Sequence, residues 1–201
     1  MQWFVAVGMP LALFLWFTIA YFSGLDVNNP YLAEVLVSFN ILLWATISFL
    51  KIREEFGLDT FKFTSPCKTL LVALITGFLI GLLGFAFEFW KGKSYDFPGP
   101  YSSVPVFILF VVGSILEEVV WRAYVLRAFG FGWFGLFVSS LFFGLHHIGL
   151  GFKNFVFATL AGFVLGGVYM RTSLFWGVAL GHVFANLIFL RLAGVLFRSL
   201  S

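Results

Sequence analysis

From Trp3 to Phe22 the chain runs without a single charged side chain, and stretches of this kind recur along its length. A helical run of about 20 apolar residues matches the hydrocarbon thickness of a bilayer. Seven such segments can be marked: Trp3–Phe22, Leu32–Leu50, Thr69–Phe89, Ser103–Phe129, Trp133–Ile148, Asn154–Met170 and Ser173–Leu190, the last followed by an interfacial tail to Ser201. Turn and breaker residues separate them, among them Ser23-Gly24-Leu25-Asp26 with Asn28-Asn29-Pro30, and Gly92 through Pro98-Gly99-Pro100. Of the 201 residues 61% are hydrophobic and only 10% charged, too few to give a soluble domain a polar exterior. The sequence therefore predicts an all-α fold, a polytopic transmembrane bundle of about seven helices. It forms one integral membrane domain over residues 1–201, with its chemistry between about 103 and 190.

The distribution of Lys and Arg along the chain sets the expected orientation. With the amino terminus in the cytoplasm, the inner side holds Lys51, Arg53, Lys62, Lys68, Arg122, Arg127 and Arg171. The outer side then holds Lys91, Lys93, Lys153, Arg191 and Arg198. The uncharged run near the amino terminus has no preceding Lys or Arg and no small-x-small site after Phe22, so it is expected to be a retained helix and not a leader. No basic cluster marks a nucleic-acid partner. Cys67 is the only cysteine, which excludes an internal disulfide and any multi-cysteine zinc site. Trp44, Trp90, Trp133 and Trp176 lie near segment ends, where they suit interfacial belts.

Segment four breaks the pattern. Glu117 and Glu118 lie 14 and 15 residues past Ser103, roughly 20 Å along a helix and well inside the hydrocarbon layer. Each acid there costs on the order of 3 kcal/mol to insert. Arg122 follows Glu118 by four, the favourable order for a helical ion pair. This spacing predicts that Glu118 pairs with Arg122 and that Glu117, about 100° round the helix, faces a cavity. The plainer reading of the same three residues is a buried polar clamp between helices. All three histidines, His146, His147 and His182, also fall in apolar segments, which is hard to reconcile with a clamp alone. His182 and Asn186 share a helix face, with Gly177 and Gly181 ahead of them to let a neighbour approach. His146 and His147 diverge by about 100° on a helix, so only one of them is expected in the cavity. Counted from the segment ends, Glu117, His147 and His182 lie at compatible depths and can meet near mid-membrane.

A carboxylate beside an imidazole can hold and deprotonate a water. A second imidazole with a carboxamide can stabilise an oxyanion through N–H groups. Together they permit hydrolysis of an acyl or peptide bond without a covalent nucleophile, and no G-x-S-x-G pattern signals one. Glu117-Glu118-Val119-Val120-Trp121-Arg122 resembles the E-E-x-x-x-R motif of the CAAX protease and bacteriocin-processing family, which includes the type II CAAX prenyl endopeptidases. Phe143-Gly144-Leu145-His146-His147 is similar to its F-x-x-x-H motif and His182-Val183-Phe184-Ala185-Asn186 to its H-x-x-x-N motif. The resemblance implies a glutamate-dependent intramembrane protease without a cofactor, acting on a membrane-associated protein or peptide, including lipidated ones or those with a carboxyl-terminal membrane tail. It implies that Glu117 and the second-motif histidine activate water and that His182 and Asn186 stabilise the oxyanion, with Glu118 and Arg122 supporting. Both Phe142 to His146 and Phe143 to His147 fit the second motif. The commoner F-G-x-x-H form favours His147, with His146 in reserve. The small size points to a prokaryotic inner membrane.

Two other readings use the same residues. Glu117, His147 and His182 could bind Zn²⁺ or Mn²⁺, although the usual H-E-x-x-H helix is missing. A non-catalytic immunity or scaffold protein, or a proton-linked small transporter, would also place Glu and His within the membrane. Transporters of this kind usually carry paired repeats, and the sequence has none.

Overall fold

The computed structural model describes residues 1–26, 30–91 and 104–198, and within them the chain is helix and turn throughout. Seven helices follow one another. They are α1 (Gln2–Phe22), α2 (Pro30–Glu55), α3 (Pro66–Lys91), α4 (104–128), α5 (Trp133–His146), α6 (Phe152–Thr172) and α7 (Phe175–Arg198). Helix α4 is composite: Val104–Glu118 is α-helical, Val119–Val125 is π-helical, and Leu126–Ala128 closes the run as a last α turn. Four helical stretches, Gln2–Phe22, Val35–Glu55, Pro66–Phe87 and Phe152–Thr172, are long and apolar enough to cross a bilayer. The protein is an integral membrane helix bundle, as its apolar runs predict.

Several boundaries differ from the sequence reading for identifiable reasons. Helix α2 continues a turn into the charged connector, where Lys51 pairs with Glu54 one turn on at 2.5 Å. Helix α3 starts earlier, at Pro66, whose fixed φ and missing N–H suit a first helical position. Helix α5 stops at His146, two residues before the expected end, and a short 3₁₀ turn, Ile148–Leu150, follows. Helix α7 extends through most of the expected tail. The breaker loop at Gly92–Pro100 and the turn at Asn28-Asn29 lie outside the described residues.

Helices in lipid gain little from apolar burial against one another, so close packing of small residues holds them together. Helices α3 and α7 meet through Gly77, Gly177 and Gly181: a Cβ at Gly181 would lie 2.6 Å from Thr76 Cβ, and one at Gly177 2.7 Å from Val72 Cγ1. The neighbour these glycines admit is therefore α3. Helices α5 and α6 meet likewise, a Cβ at Gly162 falling 2.9 Å from Ser140 Cα. The connector between α2 and α3 is tied under one end of the bundle. Arg127 Nη1 donates to Thr60 Oγ1 at 2.6 Å, and Trp176 Nε1 donates to the Phe61 carbonyl at 2.7 Å. The π-helical segment lies at the centre, each of its seven residues buried.

Candidate active site

Helix α4 brings Glu117 and Glu118 to the end of its α-helical part, immediately before the π-helical turn. A π turn leaves backbone carbonyls tilted from the helix axis, and here Ser139 of α5 donates its hydroxyl to the Trp121 carbonyl at 2.7 Å. Ser139 is wholly buried, so this bond ties α5 to α4 just below the glutamates.

Glu118 is held from two directions. Its Oε2 lies 3.2 Å from Arg122 Nε, an ion pair in which neither atom attains hydrogen-bond alignment. Its Oε1 lies 2.8 Å from His182 Nδ1. Arg122 is held further by the Gly162 carbonyl, 3.4 Å from Nη2, and by the Phe143 ring, 4.5 Å from its guanidinium carbon. Glu118 thus joins α4 to α7, while Arg122 joins α4 to α5 and α6.

Glu117 faces three imidazoles. Its Oε1 is 3.8 Å from His146 Nε2 and 3.9 Å from His147 Nε2, and its Oε2 is 3.9 Å from His182 Nε2. These separations are beyond hydrogen-bond length, so the groups surround the carboxylate without closing on it. The expectation that only one of His146 and His147 enters the cavity is corrected. It assumed that both sit on one regular helix, but α5 ends at His146. His147 N–H turns back to the Gly144 carbonyl at 2.8 Å, as in a 3₁₀ turn, and this swings its ring to the same carboxylate oxygen.

Asn186 is half-buried on α7, one turn past His182, and donates from Nδ2 to Ser114 Oγ at 3.0 Å. Ser114 precedes Glu117 and Glu118 by three and four residues, so that bond anchors the carboxamide beside the glutamates' helix face. Sequence reasoning did not single out Ser114, although its helical spacing from the glutamates was available. Nor did it give Phe143 a role beyond its motif. The Phe143 ring centroid lies 4.7 Å from that of His147 and 5.8 Å from that of His182, so one aromatic ring packs against Arg122 and two site imidazoles. The pairing of Glu118 with Arg122 and the freeing of Glu117 follow the helical spacing, but the bond from Glu118 to His182 crosses helices and has no local signal. Among the described residues, no three His, Cys, Asp or Glu groups are arranged to hold a metal ion.

Residues 99–188 match the family model described as type II CAAX prenyl endopeptidase Rce1-like. The match covers a little under half of the chain and contains every residue of the cluster. It agrees with the family resemblance carried by the three motifs. No curated protein and no solved structure matches the chain.

Proposed function

We propose that this chain, whose 99–188 segment belongs to the type II CAAX prenyl endopeptidase Rce1-like family, is an intramembrane endopeptidase that cleaves with a water activated by Glu117 and His147. The family is one of proteases, and the protein is built of membrane helices, so a membrane-associated protein or peptide is the substrate class. The observation that carries the mechanism is a single buried carboxylate faced by imidazole nitrogens from two other helices at 3.8–3.9 Å.

A water about 2.8 Å from both Glu117 Oε1 and His147 Nε2 would subtend an angle of about 90°, close to what its two O–H bonds need. Both protons are then directed at the enzyme and an oxygen lone pair at the scissile carbonyl. As the water oxygen bonds to the carbonyl carbon, one proton passes to the Glu117–His147 pair. His182, fixed at Nδ1 by Glu118, offers Nε2–H to the developing oxyanion when it is the imidazolium. Asn186 has a second Nδ2 proton beyond the one given to Ser114, and offers it to the same oxygen. Collapse breaks the C–N bond, and the proton held by the Glu117–His147 pair goes to the leaving amine. No cofactor enters the reaction, and cleavage is expected to survive exhaustive chelation.

The proposal places the amino terminus in the cytoplasm of a prokaryotic cell, with the basic connector on the inner side. Substrates carrying a lipid or a carboxyl-terminal membrane tail suit an active site at this depth. The test is a comparison of membrane-protein termini in wild-type and Glu117→Gln cells, followed by cleavage of the identified substrate by purified protein in proteoliposomes. General-base loss predicts a rate about 10³-fold lower in the variant. Equal cleavage by both proteins would falsify the proposal.

A further inference from the structure

We infer that His146 is a positioning residue that donates its Nε2 proton to Glu117, while His147 alone meets the water, so the adjacent histidines hold opposite tautomers. This deepens the peptidase reading of the same site and rests on it.

Three neighbours dictate where each imidazole carries its proton. His147 Nδ1 lies 2.8 Å from the Phe143 carbonyl, and a carbonyl can only accept. The proton of neutral His147 is therefore on Nδ1, and its Nε2 faces Glu117 as a bare lone pair. The same argument holds for His182, whose Nδ1 donates to Glu118. His146 has no such partner: its Nδ1 is buried and makes no hydrogen bond. A proton on that nitrogen would leave a buried donor orphaned and turn the Nε2 lone pair toward a carboxylate. A proton on Nε2 removes both penalties, since Nε2, 3.8 Å from Glu117 Oε1, then offers the carboxylate an N–H and only an acceptor is left unpaired. Of the two imidazoles at Oε1, His146 thus supplies the N–H and His147 the lone pair.

Exposure separates them in the same sense. The His146 side chain is 2% exposed and that of His147 is 24% exposed. The His146 ring centroid lies 6.4 Å from that of Trp121 in the wholly buried part of α4. His146 is the most enclosed of the three imidazoles around Glu117 and has the least room to meet substrate, so it acts through Glu117. An N–H on Oε1 holds the carboxylate in the rotamer that leaves its other lone pair to the water, and the 3.8 Å gap is expected to shorten when substrate closes the site.

The experiment uses the full chain in micelles with the substrate found by comparing membrane-protein termini, and compares His146→Phe, His146→Gln and His147→Gln. Loss of a hydrogen bond to a charged group predicts that His146→Phe lowers kcat about 10- to 100-fold with KM unchanged. His146→Gln restores an N–H donor and is expected within about 5-fold of wild type, whereas His147→Gln loses about 10³-fold because its amide cannot serve as the base. Nitrogen-15 spectra of the imidazoles are expected to show a protonated Nε2 at His146 and a protonated Nδ1 at His147. A wild-type kcat in His146→Phe, a folded His146→Gln no better than His146→Phe, or a protonated Nδ1 at His146 would each overturn the inference. The spectra require no turnover. If wild type and Glu117→Gln are equally inactive the peptidase reading fails, while the tautomers are still decided by the spectra.

Discussion

Replacing Arg122 with Met removes a wholly buried guanidinium while keeping a stem of similar length. The charge it leaves behind is that of Glu118, also wholly buried. Breaking a buried ion pair by deleting one partner costs about 3–5 kcal/mol, and a desolvated cation over an aromatic ring contributes up to about 2 kcal/mol more. Two features of this site pull the figure down. Glu118 keeps the His182 Nδ1 bond at 2.8 Å, so its charge is not left bare. Arg122 Nη1 has no hydrogen-bond partner, so the guanidinium already carries part of its desolvation cost uncompensated, and the substitution relieves it. The low end of the range, about 3 kcal/mol, is the expected loss. That is a large share of a total stability of about 5–15 kcal/mol.

A double-mutant cycle isolates the pair. Glu118→Gln alone strands Arg122 as an unpaired cation, and Glu118→Gln with Arg122→Met removes both charges together. The double variant is expected to be more stable than the sum of the single losses by about 1–3 kcal/mol, the coupling found for residues in direct contact. Reversible unfolding by SDS in mixed micelles, followed by tryptophan fluorescence, reads it out, since Trp121 is wholly buried beside Arg122 in the sequence. Additive losses to within about 0.5 kcal/mol would show that the 3.2 Å contact is geometric without being energetic. An Arg122→Met protein as stable as wild type would refute the whole argument.

Asn186→Ala is expected to lower kcat about 10²- to 10³-fold, as loss of an oxyanion donor does, and Ser114→Ala, which removes the carboxamide's anchor, about 5- to 10-fold; steady-state cleavage ranks them. Gly162→Ala puts a methyl 2.9 Å from Ser140 Cα, a backbone atom that cannot move aside, and is expected to destabilise by about 1–3 kcal/mol in the same unfolding assay. Gly149→Ala meets nothing within 4 Å and is expected to be silent. Cys67, exposed at the start of α3, is expected to react with a membrane-impermeant maleimide only from the cytoplasmic side; labelling from outside would invert the orientation.

The membrane fold was legible because each apolar run is long compared with the uncertainty of its ends. The candidate site was legible as a cluster because ionisable residues in lipid are costly, so Glu117, Glu118 and the three histidines stood out by depth alone. Pairings within one helix followed from spacing, as with Glu118 and Arg122. What escaped were the departures from a regular helix. The π turn at Val119–Val125 leaves no mark in a run of apolar residues. The end of α5 is equally hidden, because Leu145, His146, His147 and Ile148 contain no breaker, and Gly151, whose positive φ closes the turn, comes after it. A histidine that leaves the helix points where no helical wheel can place it. Contacts between helices, such as Glu118 with His182 and Asn186 with Ser114, depend on how α4 and α7 are rotated against each other, which periodicity does not specify.

The early end of α5 also bears on how the proposed hydrolysis would proceed inside lipid. A helix of 14 residues is about 21 Å long, well short of a hydrocarbon layer about 30 Å thick. Trp133, strongly exposed at its other end, suits an interface, so the turn that carries His147 lies below the opposite interface instead of beyond it. On the side of Trp133 the site is closed: every α4 residue from Val119 to Leu126 is buried, and so are Ser139 and Ser140 on α5. On the other side exposure rises, with His147 the most open of the imidazoles around Glu117 and Ile148 half exposed next to it. A longer α5 would carry its side chains up past Glu117 and seal that end as the π segment seals the first. The same shortening that turns His147 toward the carboxylate therefore leaves the more exposed end open, which is where the proposed peptidase would admit water and a peptide.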